Sequence, residues 1–164
     1  MEQQSFLIGF AQIALVLTGF VSVFVVFQID HGGKSRVNTH HATSILLGSL
    51  VAFLGTLIPM AIYNFDVDDA QLWWWSSAAL LALGVVFFLI MFNMTVRLTK
   101  TQFKEAGYLH MFSSYAMGFV AAGCLAWNMA FSSTPGFYLL ALILNLLVAL
   151  VGFVTFSVQK ILFW

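Results

Sequence analysis

The chain has 164 residues, of which 62% are hydrophobic and only 7% are charged, with six basic and six acidic side chains. A soluble domain of this size cannot hide so much apolar surface, because a small fold leaves much of its surface in water. The composition therefore excludes a soluble globular protein. It predicts an all-α fold, a polytopic bundle of transmembrane helices without a soluble domain.

Five apolar segments are long enough to cross a bilayer core of about 30 Å. Within a single transmembrane domain, 1–164, they cover about 5–27, 42–63, 72–96, 108–131 and 136–158. The fourth segment is the most polar, because it carries His110, Ser114 and Asn128. A four-span protein with that segment at the interface is therefore the alternative. We favour five spans, because helical bundles tolerate small polar groups.

The basic residues indicate the orientation. With five spans they all fall on one side of the membrane: Lys34, Arg36, Arg97, Lys100, Lys104 and Lys160. The positive-inside rule makes that side cytoplasmic. We therefore expect the N-terminus outside and the C-terminus in the cytoplasm of a bacterial-type plasma (inner) membrane. The first segment lacks a basic start and a cleavage site, so we interpret it as a span and not as a signal peptide.

The first span sorts small and bulky residues onto opposite sides of a helix. The small or polar side holds Ala11, Gln12, Ala14, Thr18, Gly19 and Ser22, and the bulky side holds Phe6, Phe10, Ile13, Leu17, Phe20 and Phe24. Because small residues pack helices together in lipid, we expect the first side to contact protein and the second to contact lipid. Gln12, Thr18 and Ser22, with Asn145 of the fifth span, are also candidates to line a pore.

The second span carries a row of small residues four positions apart. Ser44, Gly48 and Ala52 in this row would let another helix approach closely. Further along, Pro59 has no amide hydrogen and leaves the Gly55 carbonyl without its helical donor. We predict a kink at this point, with the Thr56 hydroxyl as the local partner of that carbonyl.

An acidic loop follows the second span and lies outside in the five-span topology. Asp66, Asp68 and Asp69 are candidates for the outer, cation-attracting mouth of a pore. The alternative is that these exposed aspartates serve only solubility and topology. The tryptophans at 73–75 follow the loop and are expected to anchor this end at the headgroup region.

The fourth span repeats the pattern of the second. His40, Ser44, Gly48 and Ala52 correspond in spacing to His110, Ser114, Gly118 and Ala122. We predict a helix-packing role for Ser114, Gly118 and Ala122 as well. The pattern fits either a repeated helical hairpin or a coincidence between two small-residue stripes, which are common in membrane helices.

The histidines allow three interpretations. His40 and His110 lie near the cytoplasmic ends of two spans and could ligate a haem iron or another metal between helices. We favour interfacial histidines that bond to lipid phosphate or loop carbonyls, because the only nearby carboxylates are Asp30 and Glu105. We therefore expect no metal and no cofactor, with haem as the alternative. A pH-sensing role is a third option.

The chain is poor in reactive groups. No Asp, Glu, Lys or Arg lies deep inside a predicted span, which argues against a proton-coupled or cation-coupled transporter. No cluster resembles a catalytic or metal centre, so we expect no enzymatic activity. We predict a homo-oligomeric channel-like assembly that passes ions or small solutes through a neutral polar path. The alternatives are a non-catalytic scaffold or accessory subunit of a larger membrane complex, and a haem- or quinone-associated redox subunit.

The expected partners follow from this prediction. They are the lipid bilayer and either further copies of the chain or another membrane protein. We expect no nucleic-acid partner.

Overall fold

The structure, a computed structural model, describes residues 4–31 and 36–162, without the side chains of residues 24–31, 109, 156 and 158–162. Lys34 and the side chains of Phe24 and Lys160, which entered the sequence predictions, lie outside the described residues. All regular secondary structure in the described residues is helical. The helices are α1 (Gln4–His31), α2 (Arg36–Ile62), α3 (Asp69–Val96), α4 (Lys100–Ala106), α5 (Tyr108–Trp127) and α6 (Pro135–Leu162).

The predicted number of long apolar helices is confirmed. Among the described residues, five helical segments are long and apolar enough to cross a membrane. They are Gln4–Val23, Arg36–Phe65, Asp69–Val96, His110–Ser132 and Pro135–Thr155. The fourth includes a π-helical turn, Asn128–Ser132, that extends α5. This set is compatible with an integral membrane protein, and the orientation across the bilayer stays a prediction.

Four of the five long helices form a ring, and the remaining one, α1, lies outside it. α2 packs against α3 and α6, and α5 packs against the same two helices, so α2, α3, α5 and α6 enclose a common interior. α1 packs on the outside of this ring, mainly against α2. The ring has a basic end, which carries Arg36, Arg97, Lys100 and Lys104. Its acidic end carries Asp66, Asp68 and Asp69.

The buried face of α1 differs from the predicted one. The buried residues are Leu7, Phe10, Ala14 and Val21. The expectation that Phe10 contacts lipid is therefore wrong, and Gln12, Gly19 and Ser22 are exposed instead of packed. Phe20 is 66% exposed, as expected. α1 contacts mainly one neighbour, so only a narrow stripe with spacings of three and four residues is covered.

The small-residue row of α2 is the seam between α2 and α6. Ser44, Gly48 and Ala52 are all buried. A Cβ atom added to Gly48 would lie 3.3 Å from Cβ of Ala149 on α6, which is closer than ordinary packing allows. Glycine therefore permits the close approach of the two helices here without any shift of Ala149.

The matching row of α5 does not pack in the same way. Gly118 is exposed, and a Cβ atom added there would meet nothing within 4 Å. Ser114 and Ala122 are only half-buried. Within this chain Gly118 is thus not a close-packing position. The two rows differ because α6 lies against the row of α2, whereas the row of α5 faces open space.

Pro59 is accommodated by a partner that the sequence prediction did not find. α2 continues through Pro59, and the freed carbonyl of Gly55 accepts a hydrogen bond from the hydroxyl of Tyr138 on α6. The Thr56 hydroxyl donates to the Phe53 carbonyl at 2.6 Å and not to Gly55, so the predicted local partner is wrong. Tyr138 is fully buried, so its hydroxyl needs an acceptor just as the carbonyl needs a donor.

The acidic end is held by side-chain hydrogen bonds. Asp68 caps α3 by accepting from the Gln71 amide at 2.7 Å. Asn128 is fully buried in the π-helical turn, where its Nδ2 donates to Ser77 Oγ of α3 at 2.9 Å and its Oδ1 accepts from the Thr134 amide. Trp73, expected at the headgroup region, is instead buried against Tyr138. This end is therefore braced across three helices.

The basic end contains a helix where the sequence indicated only a loop. Thr99 and Gln102 form a reciprocal capping box that starts α4. Ala106 of α4 then packs with Val37 of α2 and Met111 of α5. α4 therefore brings the first turns of α2 and α5 together at one end of the ring.

The bond between Tyr138 and Gly55 yields a testable prediction. We expect Tyr138→Phe to lower the free energy of unfolding by about 1–2 kcal/mol, because the Gly55 carbonyl loses its donor. In a Pro59→Ala background the restored amide hydrogen at position 59 supplies that donor, so the same substitution should cost less. Reversible unfolding in mixed detergent micelles measures both costs. An equal cost in the two backgrounds would contradict this account.

The seam yields a second prediction. Gly48→Leu should destabilise the protein by about 2 kcal/mol or more, because the new side chain collides with the backbone and Cβ of Ala149. Gly118→Leu is the matched control, and should change stability by less than about 0.5 kcal/mol because the space beside it is open. Thermal unfolding of the purified variants compares them, and equal losses would show that the seam is not the constraint.

Candidate functional site

The ring of helices contains a cavity of about 190 Å³. Most of its wall is apolar and comes from α3 and α5, while α2 and α6 supply its remaining side. The polar side chains in the wall are His40, Ser44, His110, Ser114, Tyr115 and Asn145. The cavity is therefore amphipathic, with a long apolar wall and a set of hydrogen-bonding groups.

The cavity opens sideways, between α3 and α5. Val85 and Phe119 line it and are 49% and 65% exposed, and Gly118 beside them is exposed as well. These residues lie near the middle of their helices. In a membrane, an opening at this depth faces the acyl chains and not the water at either end.

The histidines lie together at the end of the cavity nearer the basic end. His40 and His110 are only 3% and 4% exposed, and both line the cavity. The rings of His41 and His110 have centroids 4.8 Å apart. The helices that carry these histidines, α2 and α5, both start at the basic end, and α4 joins their first turns. Histidines that are distant in sequence therefore become neighbours. The expectation that these histidines bond to lipid phosphate is wrong, because they are buried inside the protein, and the alternative of loop carbonyls stays a prediction.

A chain of hydrogen bonds links three helices beside the cavity. Oγ1 of Thr95, on α3, lies 2.9 Å from Nε2 of His40 and 2.7 Å from the hydroxyl oxygen of Tyr115. The same oxygen donates to the Met91 carbonyl at 2.8 Å. The sequence prediction did not include Thr95 or Tyr115. The available signal was that both lie near the basic ends of their helices, at the depth of the histidines.

Some polar atoms around the cavity have no hydrogen-bond partner among the described residues. They are Nδ1 of His40, Nδ1 of His110 and Oγ of Ser114. Buried polar atoms in proteins are almost always bonded, and an exception calls for a water molecule or a ligand. Each of these atoms is enclosed by protein, and each belongs to a residue that lines the cavity.

The described residues suit a metal or haem poorly. No group of three or more His, Cys, Asp or Glu among them is arranged to hold a metal ion. The cavity is also smaller than the range of about 300–1,000 Å³ that is usual for pockets enclosing a drug-sized ligand. It has room for a single ring or headgroup and not for a porphyrin.

The pore candidates do not come together within one chain. Gln12 and Ser22 lie on the exposed surface of α1, and Thr18 Oγ1 lies 2.8 Å from Ser49 Oγ in the contact with α2. Asn145 lines the cavity, and its Nδ2 donates to the Ala141 carbonyl. At the predicted mouth, the carboxylate of Asp68 caps α3.

Comparisons of the chain with protein-family models, curated proteins and solved structures found no match. The chemistry of the cavity is therefore the basis for assigning a function.

Proposed function

We propose that this integral membrane protein binds a small lipid-soluble molecule with a polar headgroup, which enters the cavity from the bilayer between α3 and α5. The observation that carries the proposal is the sideways-opening cavity, which has a long apolar wall and polar side chains of His40, His110 and Tyr115 at one end. No catalytic step is part of it.

The match between cavity and ligand rests on two physical requirements. An apolar tail loses nothing when it passes from lipid to an apolar wall, so the opening at Val85 and Phe119 is a suitable entrance. The headgroup gains hydrogen bonds from the polar side chains of the cavity wall, which the hydrocarbon core cannot supply. The polar end therefore provides the affinity and selects the headgroup.

This proposal is nearest to the redox-subunit alternative, since a quinone is one molecule of this kind. It does not require a pore within the chain. A scaffold role would not account for the open space between α3 and α5, because interiors that serve only packing are normally filled.

Photolabelling tests the proposal. A hexadecanol that carries a diazirine in its chain should label α3 and α5 around the cavity in the purified protein. Gly118→Leu should reduce this labelling by about fivefold or more, because the added side chain occupies the cavity.

Gly123→Leu is the matched control, because Gly123 is exposed on the same helix outside the cavity and has open space beside it. It should keep the labelling of the natural chain. Labelling spread evenly over the lipid-facing helices, or left unchanged by Gly118→Leu, would overturn the proposal.

One observation favours a second candidate, the homo-oligomeric channel. Gln12 lies near the middle of the span Gln4–Val23, and its side chain is exposed. An amide facing hydrocarbon costs free energy unless a partner covers it. A second copy of α1 would cover it, and Ser22 on the same exposed helix would add to a polar path between subunits.

Crosslinking and conductance test this second candidate. In a Cys124→Ser background, Gln12→Cys should give crosslinked dimers in membranes. Ile13→Cys, which is equally deep and is 59% exposed on another side of α1, should not. Conductance in planar bilayers then tests for a pore. Equal crosslinking at both positions would contradict a specific interface, and dimers without conductance would favour the scaffold.

A further inference from the structure

The side opening of the cavity lies at the level of two glycines. Phe88 of α3 and Tyr115 of α5 form an edge-to-face pair with ring centroids 5.8 Å apart. Gly84 and Gly118 each lie about one helical turn from this pair, toward the acidic end, and both line the cavity. A Cβ atom added to either glycine would meet nothing within 4 Å. Neither helix therefore has a side chain that closes the gap at this level.

The depth of these glycines restricts the headgroup that can enter. They lie near the middle of the spans Asp69–Val96 and His110–Ser132. A lipid that enters past them has to bring its headgroup from the membrane surface into the hydrocarbon core. A charged group is far more costly there than a neutral polar one. The position of the opening therefore favours an uncharged headgroup.

The wall of the cavity supplies no permanent charge that would offset this cost. Among the described residues, those that line the cavity include no Asp, Glu, Lys or Arg. Arg36, at the basic end, is not part of the wall and donates to the Arg97 carbonyl at 3.3 Å. A charged headgroup in the cavity would stay unpaired, which is costly in an apolar interior.

The titratable side chains of the wall are His40, His110 and Tyr115. In their neutral forms they donate and accept hydrogen bonds, which suits a hydroxyl or another neutral polar headgroup. Protonation of a histidine would instead favour an anionic headgroup, and an anionic probe tests that alternative.

We infer that the ligand of this cavity is an uncharged lipid, which enters at mid-membrane depth past Gly84 and Gly118. The inference rests on the proposed function and narrows its headgroup. Lipids with an anionic or a cationic headgroup are excluded, because neither the entrance nor the wall compensates a charge.

Competition for the diazirine-bearing hexadecanol tests the inference in the full chain in mild detergent. The unlabelled competitors share one tail and are added at a low ratio to detergent: hexadecanol, hexadecyl glycerol ether, hexadecyl sulfate and hexadecyltrimethylammonium. The first two are uncharged, and the glycerol ether controls for the larger size of the charged headgroups. The uncharged pair should suppress labelling of the cavity at concentrations about tenfold or more below those of the charged pair.

A cation placed in the wall tests the cause of this discrimination. Val85→Lys should let hexadecyl sulfate suppress the labelling at a concentration about fivefold or more below that needed in the natural chain, because the new cation pairs with the sulfate. Val86→Lys is the matched control, since Val86 is 55% exposed on the same helix and lies outside the wall. An equal change in both variants would contradict the account. The competition in the natural chain decides by itself if Val85→Lys does not fold.

The competitors also separate the inference from the proposed function. If either charged lipid competes as well as the uncharged pair, the inference fails and the proposed function stands. The same holds if the glycerol ether competes no better than the sulfate, because size and not charge would then set the discrimination. If unlabelled hexadecanol does not suppress the labelling, both fail.

Discussion

A polar group inside an apolar bundle has to find its hydrogen-bond partner within the protein, and this constraint governs the structure. The Gly55 carbonyl, freed by Pro59, is bonded by Tyr138 from another helix. Asn128 bonds both to Ser77 and to the turn before α6. The bond of Tyr138 to Gly55 spans 83 positions in the sequence, and that of Asn128 to Ser77 spans 51. The requirement for partners therefore contributes to the arrangement of the ring as well as to its stability.

The cavity is the place where close packing of the ring is left incomplete. Close packing along the seam of Gly48 and Ala149 shows that the bundle has the means to close gaps between helices. Between α3 and α5 it does not do so, and Gly118 and Gly84 line open space. The atoms that line an unfilled volume lose the packing contacts that a neighbouring side chain would give them. The proposed ligand, by filling this volume, would give the arrangement a physical reason.

The candidate site was partly visible in the sequence. His40 and His110 were identified as a possible pair because they lie near the cytoplasmic ends of two spans. They also share a register with Ser44 and Ser114, and all four residues line the cavity. The register was interpreted as helix packing, which holds for the row of α2 and not for Gly118. Spacing along one helix shows which residues share a face. It does not show whether a neighbouring helix lies against that face.

The pore candidates show the same limit. Gln12, Thr18 and Ser22 were grouped because small and polar residues usually contact protein in membranes. α1, however, has one main neighbour, so its buried stripe is narrow and includes Phe10. The contact between Thr95 and His40 could not be predicted from the sequence either, because it joins residues 55 positions apart.

The sequence by itself determined the fold class, the five long apolar helices and the position of the basic and acidic ends. These depend on local properties, namely the length of apolar runs and the charges between them. Only the tertiary structure decided which faces are buried, that Tyr138 bonds to Gly55, and that three histidines meet beside a cavity. Those features depend on which helices become neighbours, and in lipid that choice follows from shape and hydrogen bonding between distant segments, which no local pattern records.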